Sequence, residues 1–169
     1  MRRPLPDQKE RLAGLRPMSL LDLARVAAIE RSIYDFPWTE GNFRDSLNAG
    51  HEGWLLESME SPGKLKAYAL LMWIVDEVHL LNVSVRADEQ GQGIGRRLMQ
   101  WLLAHCYAQG AQSMLLEVRP SNHVALRLYA AFGFEHIGTR RAYYPARGGV
   151  REDAWVLRCR LETVLAITD

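Results

Sequence analysis

Residues 80–99 read LLNVSVRADEQGQGIGRRLM, and the rest of the chain is organised around them. The stretch opens as an apolar run with the β-branched Val83 and Val85, the composition of a buried strand. It breaks at 86–89, passes through Gln90-Gly91-Gln92-Gly93-Ile94-Gly95, and enters a helical pattern at once. A strand, a glycine loop and a helix start in that order make an anion site. The first N–H groups of a helix have no partner inside it, and the helix dipole adds partial positive charge there. Glycines let the backbone approach a phosphate closely, and Arg96 and Arg97 add formal charge. Three other readings compete. A P-loop requires Gly-Lys-Ser/Thr, but Gly95 is followed by Arg96. A dinucleotide fingerprint requires G-x-G-x-x-G at the first βα turn, but these glycines stand at 91, 93 and 95 in mid-chain. A flexible strand-to-helix turn with no ligand stays open on the glycines alone.

A length of 169 residues suits one domain with a sizeable core. Hydrophobic residues make up 48% and charged residues 24%, an ordinary globular balance. The net charge of +1 disfavours a broad nucleic-acid-binding face. Cys106 and Cys159 lie in no CxxC, so they read as small buried hydrophobes in a reducing compartment. The His residues at 51, 79, 105, 123 and 136 are scattered, and no metal site is predicted. No apolar h-region follows Met1-Arg2-Arg3-Pro4 and no run reaches transmembrane length. A cytoplasmic chain without membrane contact is therefore expected.

Residues 1–11 are polar and basic and read as a loose tail; 12–169 read as a single domain. A short strand is predicted over 12–17. Ser19 can cap a helix with Leu20, Leu23, Ala24, Ala27, Ala28 and Ile33 on one face. Tyr34-Asp-Phe-Pro-Trp38 interrupts it, because Pro37 disfavours helix at Phe36. Thr39 caps a second helix to about Leu47. Strands follow at about 51–57, 64–75 and 78–85, with turn signals at 61–63 and 76–77. A helix over about 93–109 carries Ile94, Leu98, Leu102 and Cys106 as a buried stripe. A strand over 113–118, a helix over 122–132 and two strands over 135–143 and 153–161 complete the chain around the Gly148-Gly149 turn. The order βααβββαβαββ predicts an α/β sandwich around a mixed sheet.

Glu117 stands near the end of an apolar strand. Strand alternation can simply point it to solvent. It can also serve as general base for an amine, which is mostly protonated at neutral pH and must lose a proton to attack. Asn122 and Tyr129, seven residues apart, share a helix face. Asn122 reads as an N-cap that is also free to touch a ligand. Tyr129 reads either as a core aromatic or as a proton donor to a leaving thiolate. Tyr143, Tyr144, Phe36 and Trp38 are either packing aromatics or walls of a substrate site. Glu152 and Asp153 are either solvated charges or an attraction for a basic peptide.

Gln-x-x-Gly-x-Gly after a buried strand resembles the pyrophosphate loop of the GNAT acyl-CoA N-acetyltransferases. The element order is similar to that family over nearly the whole chain. The match narrows at Phe36-Pro-Trp-Thr-Glu-Gly-Asn-Phe43, Leu116-Glu-Val-Arg119 with Ser121-Asn122, Leu128-Tyr129, Phe132-Gly-Phe134, Arg141-Ala-Tyr-Tyr-Pro145 and Arg151-Glu-Asp-Ala154. Together these resemble the RimI-type subfamily, whose members acetylate the N-terminal alanine of protein eighteen of the small ribosomal subunit.

The resemblance implies a GNAT fold, with about seven strands flanked by about four helices. The strand ending at Val85 would carry a bulge and splay from the strand ending at Val118 to form the acetyl-CoA cleft. It further implies that Val83, Ser84, Val85, Gly91, Gln92, Gly93, Ile94, Gly95, Arg96 and Asn122 hold acetyl-CoA, the co-substrate. Glu117 would be the base and Tyr129 the acid, with no metal. Phe36, Trp38, Tyr143 and Tyr144 would flank a peptide or protein N-terminus, that of a ribosomal protein. Gly91 stands where the family often carries a basic residue. The alternatives are the same transfer to a lysine side chain, another N-terminus or a small-molecule amine, and an acyl-CoA-binding module without catalysis.

Overall fold

The computed structural model describes residues 12–167; the loose tail expected at 1–11 lies outside them, as do residues 168–169. Seven strands are present: β1 (Leu15–Pro17), β2 (Glu52–Glu57), β3 (Leu65–Ile74), β4 (Glu77–Val85), β5 (Ser113–Val118), β6 (Glu135–Pro145) and β7 (Arg151–Arg160). They hydrogen-bond in the order β1-β2-β3-β4-β5-β7-β6. β4 and β5 are parallel, paired from Glu77↔Ser113 to Leu80↔Leu116. The pairs β1–β2, β2–β3, β5–β7 and β6–β7 are antiparallel, so the sheet is mixed. The helices are α1 (Leu23–Ile33), α2 (Glu40–Asn48), α3 (Ile94–Ala108), α4 (His123–Ala131) and α5 (Leu161–Ile167).

This is the expected α/β order with one helix added, since α5 begins where the sequence predicts the last strand to end. An apolar run this short does not separate a strand from a helix by periodicity. Leu161 and Val164, three residues apart, are buried.

The described chain divides into two units, residues 12–73 with 81–102 and residues 74–80 with 103–167. All three crossings fall inside regular elements, β3, β4 and α3, so no Pro- or Gly-rich linker marks them. That is why the sequence reads as one domain.

In the first unit, Met18, Leu23, Val26, Ile29, Phe43, Leu55, Leu65, Tyr68 and Leu70 form an apolar core. Helix α1 buries Leu23 and Ala27 as predicted, but the rest of its buried stripe is Val26, Ile29 and Glu30. Leu20, Ala24 and Ala28 are exposed. The cause lies at the N-terminus, where Leu20–Asp22 forms a separate 3-10 turn and the α-helical phase begins only at Leu23. The Asp22 carboxylate secures that turn. It accepts the Ser19 N–H at 2.8 Å, two Arg16 bonds at 2.9 and 2.7 Å, and one Arg25 bond at 2.8 Å. These donors hold its carboxyl far below the usual range, Arg16 contributing most. Thr39 caps α2 as predicted: its hydroxyl accepts the Asn42 N–H at 3.1 Å, and Asn42 accepts the Thr39 N–H at 2.9 Å.

Along α3, Ile94, Leu98, Leu102 and Cys106 are all buried, as their spacing predicts. In the second unit, Met114, Leu116, Val118, Phe132, Phe134, Leu157 and Cys159 are buried. Strands β6 and β7 run beyond their predicted inner ends, to Pro145 and from Arg151. The turn between them places Gly148 and Gly149 at φ 76° and 72°, which only glycine adopts readily.

Candidate active site

In the first unit, β4 runs through Val83-Ser84-Val85 into a 3-10 turn at Ala87–Glu89, and then into the glycine turn. The Gln90 side chain donates to the Val85 carbonyl at 2.9 Å and ties the turn back to the strand. Gly91 and Gly93 sit at φ 77° and 76°, and a Cβ at either would point into open space. The first helical bond of α3 runs from the Arg97 N–H to the Gly93 carbonyl at 3.1 Å. The N–H groups of Ile94 and Gly95 therefore have no partner within the helix. Backbone donors, a helix dipole and an approach unobstructed by side chains at Gly91 and Gly93 are what a pyrophosphate requires.

Ser84 is buried and its hydroxyl is engaged within the chain. It donates to Asn82 Oδ1 at 2.9 Å and lies 2.7 Å from the Tyr34 hydroxyl. This chain of bonds ends on Glu30, whose residue is only 2% exposed. Glu30 accepts from the Tyr68 hydroxyl, from Asn82 Nδ2 at 3.2 Å and from the Trp38 N–H at 3.1 Å. Burial, then the charge of Glu30, pushes the Tyr68 phenol far above its ordinary range. One carboxylate thus fixes both the Tyr34–Trp38 segment and the Asn82–Ser84 end of β4. Trp38 packs on Phe43 at 5.2 Å between ring centroids, as part of the core, whereas Phe36 is 45% exposed.

In the second unit, the alternation of β5 puts Leu115 and Glu117 half-exposed on one face. The Glu117 carboxylate accepts from Arg140 Nε at 2.8 Å and from the Tyr143 hydroxyl. Tyr143 meets Tyr144 edge-on at 5.0 Å, and the Arg119 guanidinium lies 4.4 Å from the Tyr144 ring centre. Burial, then the charge of Glu117, pushes the Tyr144 phenol up to about 12. Arg119 also donates to the Pro145 carbonyl at 2.9 Å and pairs with Glu152 at 3.3 Å. Glu152 further accepts the Ser121 N–H at 3.0 Å and the Ser121 hydroxyl at 2.9 Å.

Asn122 is the N-cap of α4, its Oδ1 accepting the Ala125 N–H at 3.2 Å. Tyr129 lies farther along the helix, 7% exposed, its ring 5.5 Å from Phe134. Both of the roles read from sequence for these two residues begin from a structural one, a cap and a packed ring.

The structure therefore gathers Glu117, Tyr143 and Tyr144 into one cluster. It groups Ser84 with the Tyr34–Trp38 segment. Sequence reasoning passed over Glu30, Arg140 and the side chain of Arg119. Glu30 falls at a core position of α1, and a charged residue on a buried helix face was the available signal. Glu152 and Asp153, read as solvated charges or as an attraction for a basic peptide, also make bonds within the chain: Glu152 holds Ser121 and Arg119, and Asp153 accepts the Ala142 N–H at 2.8 Å. Among the described residues no group of His, Cys, Asp and Glu is arranged to hold a metal, and no helix is long and apolar enough to cross a membrane.

The model of the GNAT acetyltransferase family matches residues 23–134, which span the glycine turn, Glu117 and Tyr129. The [ribosomal protein bS18]-alanine N-acetyltransferase of Escherichia coli K12 is 38% identical over 136 residues, covering 80% of this chain and 89% of that protein. The crystal structure of the ribosomal-protein-S18-alanine N-acetyltransferase from Escherichia coli superposes with a TM-score of 0.80 at 33% identity. It covers 87% of this chain and 92% of that one. Arabidopsis thaliana NAA60, crystallised with acetyl-CoA, shares the fold at a TM-score of 0.75 and 18% identity, covering 88% of this chain and 98% of its own. On the family match and on these relatives, the chain belongs to the GNAT acetyltransferase family.

Proposed function

We propose that this enzyme transfers acetyl from acetyl-CoA to the α-amine of a protein N-terminus, the N-terminal alanine of ribosomal protein bS18. The observation that carries the acceptor is the 38% identity to a bS18-alanine N-acetyltransferase over 89% of that protein. The glycine turn at 91–95, with Arg96 at the first turn of α3, takes the pyrophosphate through backbone N–H groups. Val83, Ser84 and Val85 line the acetyl end, and Asn122 bonds the pantetheine arm. The acceptor ammonium gives a proton to Glu117. The amine nitrogen then bonds the thioester carbon, the C–S bond breaks, and the departing sulfur takes a proton from Tyr129, while the second nitrogen proton, lost as the amide forms, passes through solvent to restore the Tyr129 hydroxyl. No acyl-enzyme forms, because the thioester is already activated. Tyr143 and Tyr144, beside Glu117, take the acceptor's first residue, and an aromatic wall there favours a short side chain such as alanine. The ribosomal acceptor places the reaction in the cytoplasm.

The test is mass spectrometry of peptides incubated with enzyme and acetyl-CoA. The panel carries the bS18 N-terminal sequence, versions differing only in residue one, and one version with a blocked N-terminus. The alanine peptide is expected to react fastest and the blocked peptide not at all. Equal acetylation of the blocked peptide through an internal lysine refutes the reading.

A further inference from the structure

The Arg151-Glu152-Asp153 triplet is part of the sequence motif, yet none of its side chains enters the chemistry above. The partners of Arg151 and Asp153 lie on β6. The β6–β7 ladder is regular from Gly138↔Val156 to Arg140↔Ala154, then resumes at Tyr144↔Glu152. Residues 141–143 on β6 thus oppose Asp153 alone, a bulge of three residues against one. At its centre Ala142 adopts φ 49°, a left-handed conformation unfavourable for a residue with a Cβ. Bulges of ordinary strands do not need this, and a strained backbone persists only where its surroundings hold it.

Two side chains of β7 do so, one at each end of the strained peptide. Asp153 Oδ1 accepts the Ala142 N–H at 2.8 Å. Arg151 donates through Nε to the Ala142 carbonyl and through Nη2 to the Tyr143 carbonyl, both at 2.8 Å. Arg140, just before the bulge, and Tyr143, its last residue, both reach Glu117, Arg140 through Nε at 2.8 Å and Tyr143 through its hydroxyl. A regular ladder would continue the alternation of β6 through 141–143 and would not turn Arg140 and Tyr143 towards one carboxylate.

We propose that Arg151 and Asp153 are positioning residues for acceptor binding, clamping the strained 141–143 bulge so that Arg140 and Tyr143 frame Glu117. The inference rests on the reading of Glu117 and Tyr143 as the acceptor site. The clamp acts through the backbone, so it touches neither acceptor nor acetyl-CoA.

Four variants of the full chain test it: Asp153→Ala, Asp153→Asn, Ala142→Gly, and the pair Asp153→Ala with Ala142→Gly. Steady-state kinetics with the best amine of the peptide panel give KM and kcat. Amide exchange of the 141–143 segment by mass spectrometry reads the clamp without any turnover, and urea midpoints check folding. Asp153→Ala should raise the acceptor KM about tenfold, leave the acetyl-CoA KM unchanged and speed exchange at 141–143. Asp153→Asn keeps an acceptor oxygen and should stay within about threefold of the parent. Glycine at 142 needs no clamp, so the pair should recover about fivefold of the loss. A rise in acceptor KM that glycine does not relieve, an Asn variant as damaged as the Ala one, or unchanged exchange in Asp153→Ala each overturns the proposal. If no peptide N-terminus reacts, the functional reading fails, and the exchange data still decide whether the clamp exists.

Discussion

Replacing Glu30 by leucine should cost the first unit about 2–4 kcal/mol of stability. The wild-type carboxylate accepts from the Tyr68 hydroxyl, Asn82 Nδ2 and the Trp38 N–H. Leucine fills a similar volume and accepts nothing. A buried donor left unpaired costs about 1–3 kcal/mol. Tyr68 is fully buried and should sit at the upper end. Asn82 and Trp38 are only half-buried, and water relieves part of their loss. Removing a carboxylate from a site that is 2% exposed returns some desolvation energy, which lowers the total. For a chain of this size each kcal/mol shifts Tm by about 2–4 °C, so a fall of about 5–15 °C is expected. Urea unfolding measures it directly. In a Tyr68→Phe background the most buried donor is already gone, and Glu30→Leu should then cost about 1–2 kcal/mol less. A cost below about 1 kcal/mol in both backgrounds would show that Glu30 does not hold the network.

Three further outcomes are expected. Gly93→Val places a β-branched residue at φ 76°, with its side chain in the open approach to the turn; calorimetry should show weakened CoA binding with little change in far-UV circular dichroism, and an unaltered affinity in the folded variant removes the turn from the site. Glu117→Gln should slow turnover by about 10²-fold or more near neutral pH and by less as pH rises through the acceptor's own pKa near about 8; a loss constant across pH makes Glu117 a positioning group instead. Asp22 is held ionised in the folded state, so its contribution is complete above the ordinary aspartate range and is lost as pH falls below about 4. Asp22→Asn should therefore cost about 1–3 kcal/mol at pH 7, with Arg16 partly exposed, and the gap from the parent should narrow at pH 3; an equal gap at both pH values contradicts the assignment.

Periodicity and glycine spacing carried most of the fold. The α3 stripe, the Thr39 cap and the strand-turn-helix passage at 80–99 all rest on neighbours within a few residues, which a sequence displays. The misplaced α1 stripe has a cause beyond that range. Whether Leu20 starts the helix depends on Arg16 and Arg25 closing on Asp22, with Arg16 also reaching Glu57, forty-one residues on. The candidate site divides the same way. Glu117 stood out because a charge interrupts an apolar strand. Arg140 did not, because only the β6 bulge turns it towards Glu117, and nothing in Arg140-Arg141 announces a bulge. The closing helix α5 was hidden by its brevity.

The last strand of the chain is an interior one: β7 lies between β5 and β6, pairing with both. During synthesis, β5 and β6 leave the ribosome before the strand that joins them exists. From Ser113 to Val118, β5 then presents an unpaired edge rich in Met and Leu, the kind of surface that recruits other strands. A nascent chain stalled before Arg151, or a message truncated there, is therefore exposed to aggregation and to proteolytic clearance rather than to partial activity. The β6–β7 turn at Arg147–Gly149 sets the moment of rescue, because β7 can fold back on it as soon as it emerges.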